Sequence, residues 1–161
     1  MKKYLSLVLA LCLALSLLGA TASAEGEKIF RFAVLDDPDS FDPGYTLNSF
    51  AGPVFYNCFL GLVRYDTDDS LIPGAASDWD ISEDGTVYTF HLNEGMKWSN
   101  GLPVTSADFA YAWQRVLDPA FGSSGAYMIY NYIDNAKEYY DGNVAWEEVG
   151  IKTPDDLTLG L

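Results

Sequence analysis

The sequence predicts a mixed α/β domain of the α+β kind, in which short strands and helices share one core. Alternating β-formers over residues 87–92 follow an Asp-Gly pair, a combination typical of a β-hairpin. Thr105 and Asp108 then form a capping box ahead of an apolar stripe with helical spacing, which indicates an amphipathic helix. The chain of 161 residues has room for one domain with a modest core.

Residues 1–24 are predicted to be a signal peptide, which leaves residues 25–161 as the domain. The start is basic, residues 4–20 are apolar and uncharged, and Ala22-Ser23-Ala24 offers the small residues that signal peptidase reads. The apolar run is at the short limit for a membrane span, which needs about 20 residues, so cleavage is favoured over an anchor. We expect an exported protein, in the periplasm or at the outer face of the cytoplasmic membrane.

The domain is predicted to begin with a strand, a turn and a helix. Residues 28–35 alternate in a strand-like manner, and Ser40-Phe41-Asp42-Pro43 is typical of a turn. Either Asn48 or Ser49 is a suitable N-cap for a helix that ends at Gly61, where a left-handed residue costs little.

Strands are predicted to follow this helix. Residues 62–65 form a short strand closed by the acidic turn 66–69, and Ile72-Pro73-Gly74 redirects the chain. Residues 79–81 and 87–92 are the two strands of the hairpin.

The capped helix places Phe109, Trp113 and Val116 on one stripe and ends at Asp118-Pro119, because a residue that precedes proline avoids the helical region. Weaker patterns predict helices over residues 126–132 and 133–140, then a closing hairpin with strands at 149–152 and 157–159 around a turn at 154–156.

Composition excludes several classes of partner and site. The formal net charge is −14, and the predicted leader contributes lysines but no acid, so the domain repels phosphate backbones and anionic lipids. Cys12 follows bulky Leu11 in the middle of the apolar run, which argues against a lipid anchor. Cys58 lies among aromatic residues and is predicted to be a buried structural thiol, and His91 an exposed strand residue with no catalytic role.

Motifs for catalysis are not recognised in this sequence. It contains no Gly-rich phosphate loop, no paired histidines at zinc spacing and no Gly-x-Ser-x-Gly elbow. Acidic pairs such as Glu147-Glu148 and Asp155-Asp156 fall in predicted loops, where they are solvated. Residues 66–69 lack the glycine and terminal glutamate of a calcium loop. We therefore expect a protein that is not an enzyme and holds no cofactor or metal.

One long region carries a more specific signal. It comprises Ala75-Ala76-Ser77-Asp78-Trp79, the hairpin strand from Asp84 to Leu92, and the stretch from Lys97 to Trp113 that contains Trp98-Ser99-Asn100-Gly101. This region resembles the family 5 extracellular solute-binding proteins, the oligopeptide and dipeptide receptors of ABC importers. Flanking segments agree with the resemblance, which therefore covers nearly all of the predicted domain: residues 39–43, 61–66, 118–119, 126–128, 149–152 and 155–159.

The resemblance implies a fold like that of the type II periplasmic binding proteins, of which this chain supplies a partial N-terminal lobe. Large aromatic residues dominate the signature and are expected in the core, where they identify the family without forming its binding site. These residues are Trp79, Tyr88, Phe90, Trp98, Phe109 and Trp113.

The resemblance also implies a site. Family members enclose a peptide between two lobes and hold it partly by backbone hydrogen bonds, as an added strand would be held. It assigns Leu47, Asn48 and Ser49 as ligand contacts, with the alternative that Asn48 and Ser49 only cap the following helix. Ser124-Gly125 stands where family members often carry Pro-Tyr with the tyrosine facing the ligand, so an aromatic wall is missing.

The implied function is that of the substrate-binding component of a peptide-importing ABC transporter, acting as a monomer with membrane permease subunits. Full members are several times longer and the chain stops in mid-strand at Leu161, from which we expect a truncated portion that binds ligand weakly or not at all. Nickel complexes, heme or small glycosides are alternative ligands on the same fold. From other classes, a secreted hydrolase domain would use two carboxylates, and a carbohydrate-binding module would use exposed aromatics such as Tyr139-Tyr140.

Overall fold

The computed structural model describes residue 29 and residues 31–161, so the predicted signal peptide lies outside the described residues. The chain divides into two units, with the boundary between residues 33 and 34. All helices and strands of the described residues lie in the second unit.

The second unit contains helices and antiparallel strands, which confirms the mixed α/β class. In chain order the elements are α1 (Gly52–Cys58), β1 (Val63–Tyr65), β2 (Leu71–Pro73), β3 (Ala76–Ile81), β4 (Tyr88–Leu92), α2 (Ser106–Leu117), α3 (Tyr127–Tyr130), α4 (Ala136–Tyr140), a 3₁₀ turn (Trp146–Glu148), β5 (Lys152–Asp155) and β6 (Thr158–Gly160). β1 pairs with β2, and the other strands form an antiparallel sheet in the order β3-β4-β6-β5.

The core lies where α2 and α4 meet one face of the four-stranded sheet. Phe90 at the centre of β4 pairs with Trp79 of β3 on one side and Leu159 of β6 on the other. Leu117 from the end of α2 and Leu159 are fully buried. The remaining buried residues of this cluster are Ala76, Phe90, Leu92, Ala136, Val149 and Ile151.

Helix α2 is held at both ends, and this fixes the direction of its remaining side chains. The backbone N–H of Thr105 donates to the Asp108 carboxylate (2.7 Å), so the predicted capping box is confirmed. Ser106 is buried, and its N–H donates to the carbonyl of Asp156 in the β5–β6 turn (2.8 Å). The helix ends at Leu117, before Asp118-Pro119, as predicted.

Both hairpins are present. Gly85 has φ of +73°, a conformation that glycine adopts without steric cost, and the N–H of Ser82 donates to the carbonyl of Val87 to close the β3–β4 turn. The closing hairpin turns at Asp156-Leu157 rather than at 154–156. Pro154 is accommodated in β5 because this is an edge strand, whose outward N–H groups need no partner.

Several predicted elements differ from the structure in extent or are absent from it. Residues 31–35 belong to no strand, because alternation indicates the two faces of a strand but not a partner, and neither sheet includes this segment. Of residues 72–74, which were expected to redirect the chain, Ile72 and Pro73 instead belong to β2, which pairs with β1. The two helices predicted between residues 126 and 140 are shorter, since Asn135 adopts a left-handed φ of +55° just before α4.

The predicted start and end of α1 are also wrong. The side chain of Asn48 accepts the N–H of Phe50 (2.8 Å) in a turn that precedes the helix, and Ala51 is the N-cap. Neither Asn48 nor Ser49 therefore caps α1. The helix ends at Cys58 because Phe59 is extended, two residues before Gly61.

Several burial predictions are corrected as well. Cys58 is exposed, because α1 contributes no fully buried residue to the core. Of the signature aromatics, Phe90 is buried, whereas Trp98 and Tyr88 are 45% and 39% exposed. Trp98 lies in a loop outside the sheet. The signature motif identifies this residue but does not show which residues it packs against. The pair Tyr139-Tyr140 is half-buried rather than exposed: its rings contact those of Trp146 and Tyr130.

Candidate ligand-binding groove

The three predicted ligand contacts line one groove on the second unit. Leu47, Asn48 and Ser49 form one wall, on a segment without regular structure that leads into α1. The other wall comes from α1, and the groove encloses about 460 Å³. Its further lining residues are Pro43, Thr46, Gly52, Phe55 and Tyr56. Their role as ligand contacts stays a prediction.

The backbone of Leu47 is the most distinctive feature of this groove. Among the described residues, neither its N–H nor its C=O has a hydrogen-bond partner within the chain, and the side chain is about half exposed. Backbone groups in folded proteins are nearly always paired with protein or with water. Leu47 therefore offers one donor and one acceptor to an incoming polar chain.

The neighbours of Leu47 are held by local side-chain hydrogen bonds. Buried Thr46 donates its hydroxyl to Asp39 (2.7 Å) and accepts the N–H of Asn48 (2.9 Å). Asn48 in turn accepts the N–H of Phe50. These bonds fix the turn on both sides of Leu47 and leave its own backbone groups unused.

Asp42 and Arg115 join this segment to α2. The guanidinium meets both carboxylate oxygens of Asp42, with Nη1 to Oδ1 at 3.1 Å, and its carbon lies 3.8 Å from the ring centre of Phe121. The hydrogen bond from Arg115 holds the pKa of Asp42 below its usual range, against the opposing effect of partial burial. The N–H of Gly44 also donates to Asp42 (2.9 Å), so this carboxylate closes the predicted 40–43 turn.

The loop that lacks the family's Pro-Tyr pair lies beside the same segment. Ser123 donates its hydroxyl to the carbonyl of Gly44 (2.6 Å), and the N–H of Ser124 donates to the carbonyl of Tyr45 (3.1 Å). A Cβ atom at Gly125 would lie 3.4 Å from a methyl carbon of Leu47. A side chain at position 125 would therefore touch Leu47, which is one of the predicted ligand contacts.

A larger cavity, about 960 Å³, lies elsewhere and contains none of the predicted contacts. It is bordered by the β3–β4 turn, by residues 132–134 and by Gly160-Leu161. Size alone does not indicate a ligand site, since this cavity offers Asp134 and Lys152 as its charged groups and no cluster of converging donors. The smaller groove is the better candidate because unpaired backbone groups and the predicted residues coincide there.

Sequence reasoning missed the supporting residues of the groove. No role was assigned to Arg115 from the sequence, because its distance from Asp42 along the chain carries no signal of their contact. Phe55 and Tyr56 entered the sequence analysis only as aromatic neighbours that suggested burial of Cys58, yet they line the groove, and Tyr56 is 90% exposed. An unusually aromatic short helix directly after the predicted contacts was the available signal.

The described part of the chain was not found to offer a metal site or a membrane-spanning helix, and its histidine lies outside the groove. Within it, no group of His, Cys, Asp or Glu residues is arranged to hold a metal ion. No helix among the described residues is long and apolar enough to cross a membrane. His91, outside the groove, is half exposed and hydrogen-bonded to Asp80.

Comparison with known proteins assigns the family. Residues 70–161 match the family described as bacterial extracellular solute-binding proteins, family 5 Middle. The chain belongs to this family. Family 5 is a family of solute-binding proteins rather than of enzymes.

Curated relatives of this family 5 chain extend the match beyond residues 70–161. The dipeptide-binding protein DppE of Bacillus subtilis is 36% identical over an alignment of 171 residues, and this alignment covers 98% of this chain and 31% of DppE. The periplasmic oligopeptide-binding protein OppA of Haemophilus influenzae is 42% identical over 124 residues, covering 76% of this chain and 23% of OppA. The chain thus spans less than a third of the length of these relatives.

Solved structures confirm the fold of the family 5 chain. A crystal structure of Haemophilus influenzae OppA in complex with the peptide RPPGFSPFR aligns with a TM-score of 0.72 and 41% identity, over 76% of this chain and 24% of that one. The murein tripeptide binding protein MppA of Escherichia coli aligns with a TM-score of 0.74 and 34% identity, over 79% and 25%. The described residues therefore have the fold of part of a lobe of such proteins.

Proposed function

We propose that residues 25–161, after removal of a signal peptide, supply part of the peptide-binding lobe of an exported receptor that delivers peptides to ABC permease subunits. The observation that carries this proposal is the backbone of Leu47, whose N–H and C=O are unpaired within the described chain and belong to the groove. An extended peptide presents the complementary acceptor and donor. The names of the relatives, which bind dipeptides, oligopeptides and a murein tripeptide, support this ligand class.

Backbone recognition accounts for a receptor that accepts many peptide sequences. Hydrogen bonds between main chains do not depend on side-chain identity, so they give affinity without strict selection. Gly125 places no side chain against Leu47, at the position where the resemblance expects a tyrosine. We therefore expect weak discrimination between peptide side chains at this wall, and low affinity, because one lobe buries only one side of a ligand.

A second candidate ligand is an amphipathic acid. The "Probable deoxycholate-binding periplasmic protein YgiS" of Escherichia coli is 35% identical over 134 residues, so the family includes a relative named for a steroid acid. Phe55 and Tyr56 give the groove an apolar wall on which such a ligand could pack. Nickel complexes, heme and glycosides remain alternatives that no feature of this groove favours.

NMR titration of the full chain with the tripeptide Ala-Ala-Ala tests the function. We expect saturable amide shifts at Leu47, Asn48 and Ser49 at millimolar peptide, with free alanine as the control that lacks a peptide bond. Shifts with deoxycholate but not with Ala-Ala-Ala would favour the second candidate. Absence of shifts in the groove with the tripeptide would contradict peptide binding here, and tight binding would contradict the need for a further lobe.

A matched pair of variants tests the role of the Leu47 backbone. Leu47→Pro removes the N–H donor, whereas Leu47→Ala removes most of the side chain and keeps the donor. We expect the tripeptide-induced shifts at Ser49 to persist in Leu47→Ala and to disappear in Leu47→Pro. Equal loss in both variants would show that side-chain contact, not the backbone, holds the peptide.

A further inference from the structure

The groove-lining segment needs support from outside itself. Residues 43–49 belong to neither a strand nor a helix, and the hydrogen bonds of Thr46 and Asn48 stay within residues 39–51. Such local bonds shape a turn, but they do not determine where that turn sits on the domain. The contacts that do so must come from residues distant in sequence.

Arg115 provides the charged contact of this kind. It lies in the last turn of α2, whose start is tied to the β5–β6 turn and whose last residue, Leu117, is fully buried. Its guanidinium pairs with both oxygens of Asp42 and stacks on Phe121 at 3.8 Å. A planar guanidinium can direct two N–H groups at the two oxygens of one carboxylate while its flat face stacks on a ring, a geometry that a tetrahedral ammonium does not offer.

Two further contacts extend from this ion pair toward the groove. The ring of Phe121 meets that of Tyr45 edge-on, with centres 5.8 Å apart. A Cβ atom at Gly44 would lie 3.2 Å from Val116, the next residue of α2, so glycine permits the segment to approach the helix closely. Asp42, Gly44 and Tyr45 thus all rest on or near the end of α2, directly before Leu47.

We propose that Arg115 is a positioning residue for the candidate binding segment: it anchors Asp42 to the rigid end of α2 and thereby sets the place of Leu47, Asn48 and Ser49. It acts through Asp42 and Phe121 and lies outside the lining of the groove. The relevance of this anchor to ligand binding rests on the proposed function, whereas the anchor itself can be tested without any ligand.

Hydrogen exchange of the full chain without ligand tests the anchor. The amide of Ser124, which donates to the carbonyl of Tyr45, reports on the position of the segment, and the amides of Gly44 and Asn48, which donate to Asp42 and Thr46, report on its local order. Leu92, whose N–H donates to the carbonyl of Leu157, reports on the sheet. In Arg115→Gln we expect exchange at the three segment amides to accelerate at least about tenfold more than at Leu92, as in a local opening.

The chain offers a matched control in Lys137, which pairs with Asp141 and lies 5.5 Å from the ring centre of Tyr130. Lys137→Gln also removes a cation from a carboxylate and an aromatic ring, and we expect it to leave the segment amides unchanged. Arg115→Lys keeps the positive charge but loses the two guanidinium N–H groups that meet both oxygens of Asp42, so its effect should be intermediate. This variant replaces Arg115→Gln if Arg115→Gln does not fold. Uniform acceleration at all four reporters, or none at the segment, would overturn the proposal.

A ligand readout separates this proposal from the proposed function. The Ala-Ala-Ala shifts at Ser49 should weaken in Arg115→Gln and persist in Lys137→Gln. If the unaltered chain shows no tripeptide shifts but the exchange result is as expected, the function fails and the anchor stands. If the shifts occur normally in Arg115→Gln, positioning by Arg115 is excluded while peptide binding is retained.

Discussion

The Nε2 atom of His91 on β4 lies 2.9 Å from a carboxylate oxygen of Asp80 on the neighbouring strand β3, and 3.8 Å from one of Asp78. The hydrogen bond to Asp80 raises the pKa of His91, and the charges of Asp78, Asp80 and Asp155 act in the same direction. The one histidine of the chain is thus a half-exposed strand residue paired with acids, with no place in the groove.

This pairing predicts a pH-dependent stability. Because the folded-state pKa of His91 exceeds the ordinary value of about 6.5, its contribution is fully present below that value and is lost as pH rises through the folded-state pKa. Urea unfolding from slightly acidic to slightly alkaline pH should show a decrease in the free energy of unfolding that His91→Gln reduces. Identical pH dependence in both proteins would contradict this role.

The capping box of α2 predicts a measurable helix-end effect. Asp108→Ala removes the acceptor for the N–H of Thr105 and should lower the free energy of unfolding by about 1 kcal/mol. Glu83→Ala, at an exposed position in the β3–β4 turn, is the control and should change stability by less than about 0.5 kcal/mol. Equal effects in urea titrations would count against the cap.

Leu159 predicts the cost of a cavity in the core. It is fully buried beside Phe90, so Leu159→Ala should lower the free energy of unfolding by about 2–5 kcal/mol. The same truncation at Leu102, which is 61% exposed, should have little effect. A small loss at Leu159 would show that the sheet and helices do not share the described core.

Cys58 predicts an accessible thiol. Its exposure at the end of α1 means that the folded chain should react with a thiol-specific reagent at a rate close to that in denaturant. Mass analysis of the peptide that contains Cys58 measures this. Strong protection in the folded chain would support the burial expected from its aromatic neighbours instead.

The acidic charge predicts a response to salt. With a formal net charge of −14, like-charge repulsion opposes the compact state, and added salt screens it. The thermal midpoint should therefore rise from low to moderate sodium chloride. A falling midpoint would mean that attractive pairs such as Arg115 with Asp42 outweigh the net repulsion.

Local chemistry explains which elements were predictable. Asp84-Gly85 and the pair Thr105–Asp108 act within a few residues, so the hairpin and the start of α2 could be located from the sequence. Alternation alone was not sufficient to predict a strand over residues 28–35, since a strand also requires a partner to pair with. Asn48 has a side chain that suits a cap, yet its bond to Phe50 forms an earlier turn and leaves Ala51 at the helix start.

The candidate groove was likewise predictable from the sequence only in part. Resemblance assigned Leu47, Asn48 and Ser49, and the structure shows that they share a groove, a relationship that their adjacency in sequence already favoured. It could not indicate that Arg115 holds Asp42, or that Gly125 meets Leu47, because these contacts cross long stretches of chain.

The sequence by itself determined the class of fold, the family, the β3–β4 hairpin and the capped helix, because periodicity, turn chemistry and signature motifs are properties of neighbouring residues. Only the tertiary structure decided which aromatics are buried, where α1 begins, and what holds the groove against α2. Burial and long-range pairing depend on how elements pack, and the free energy that selects one packing is shared among residues far apart in the chain.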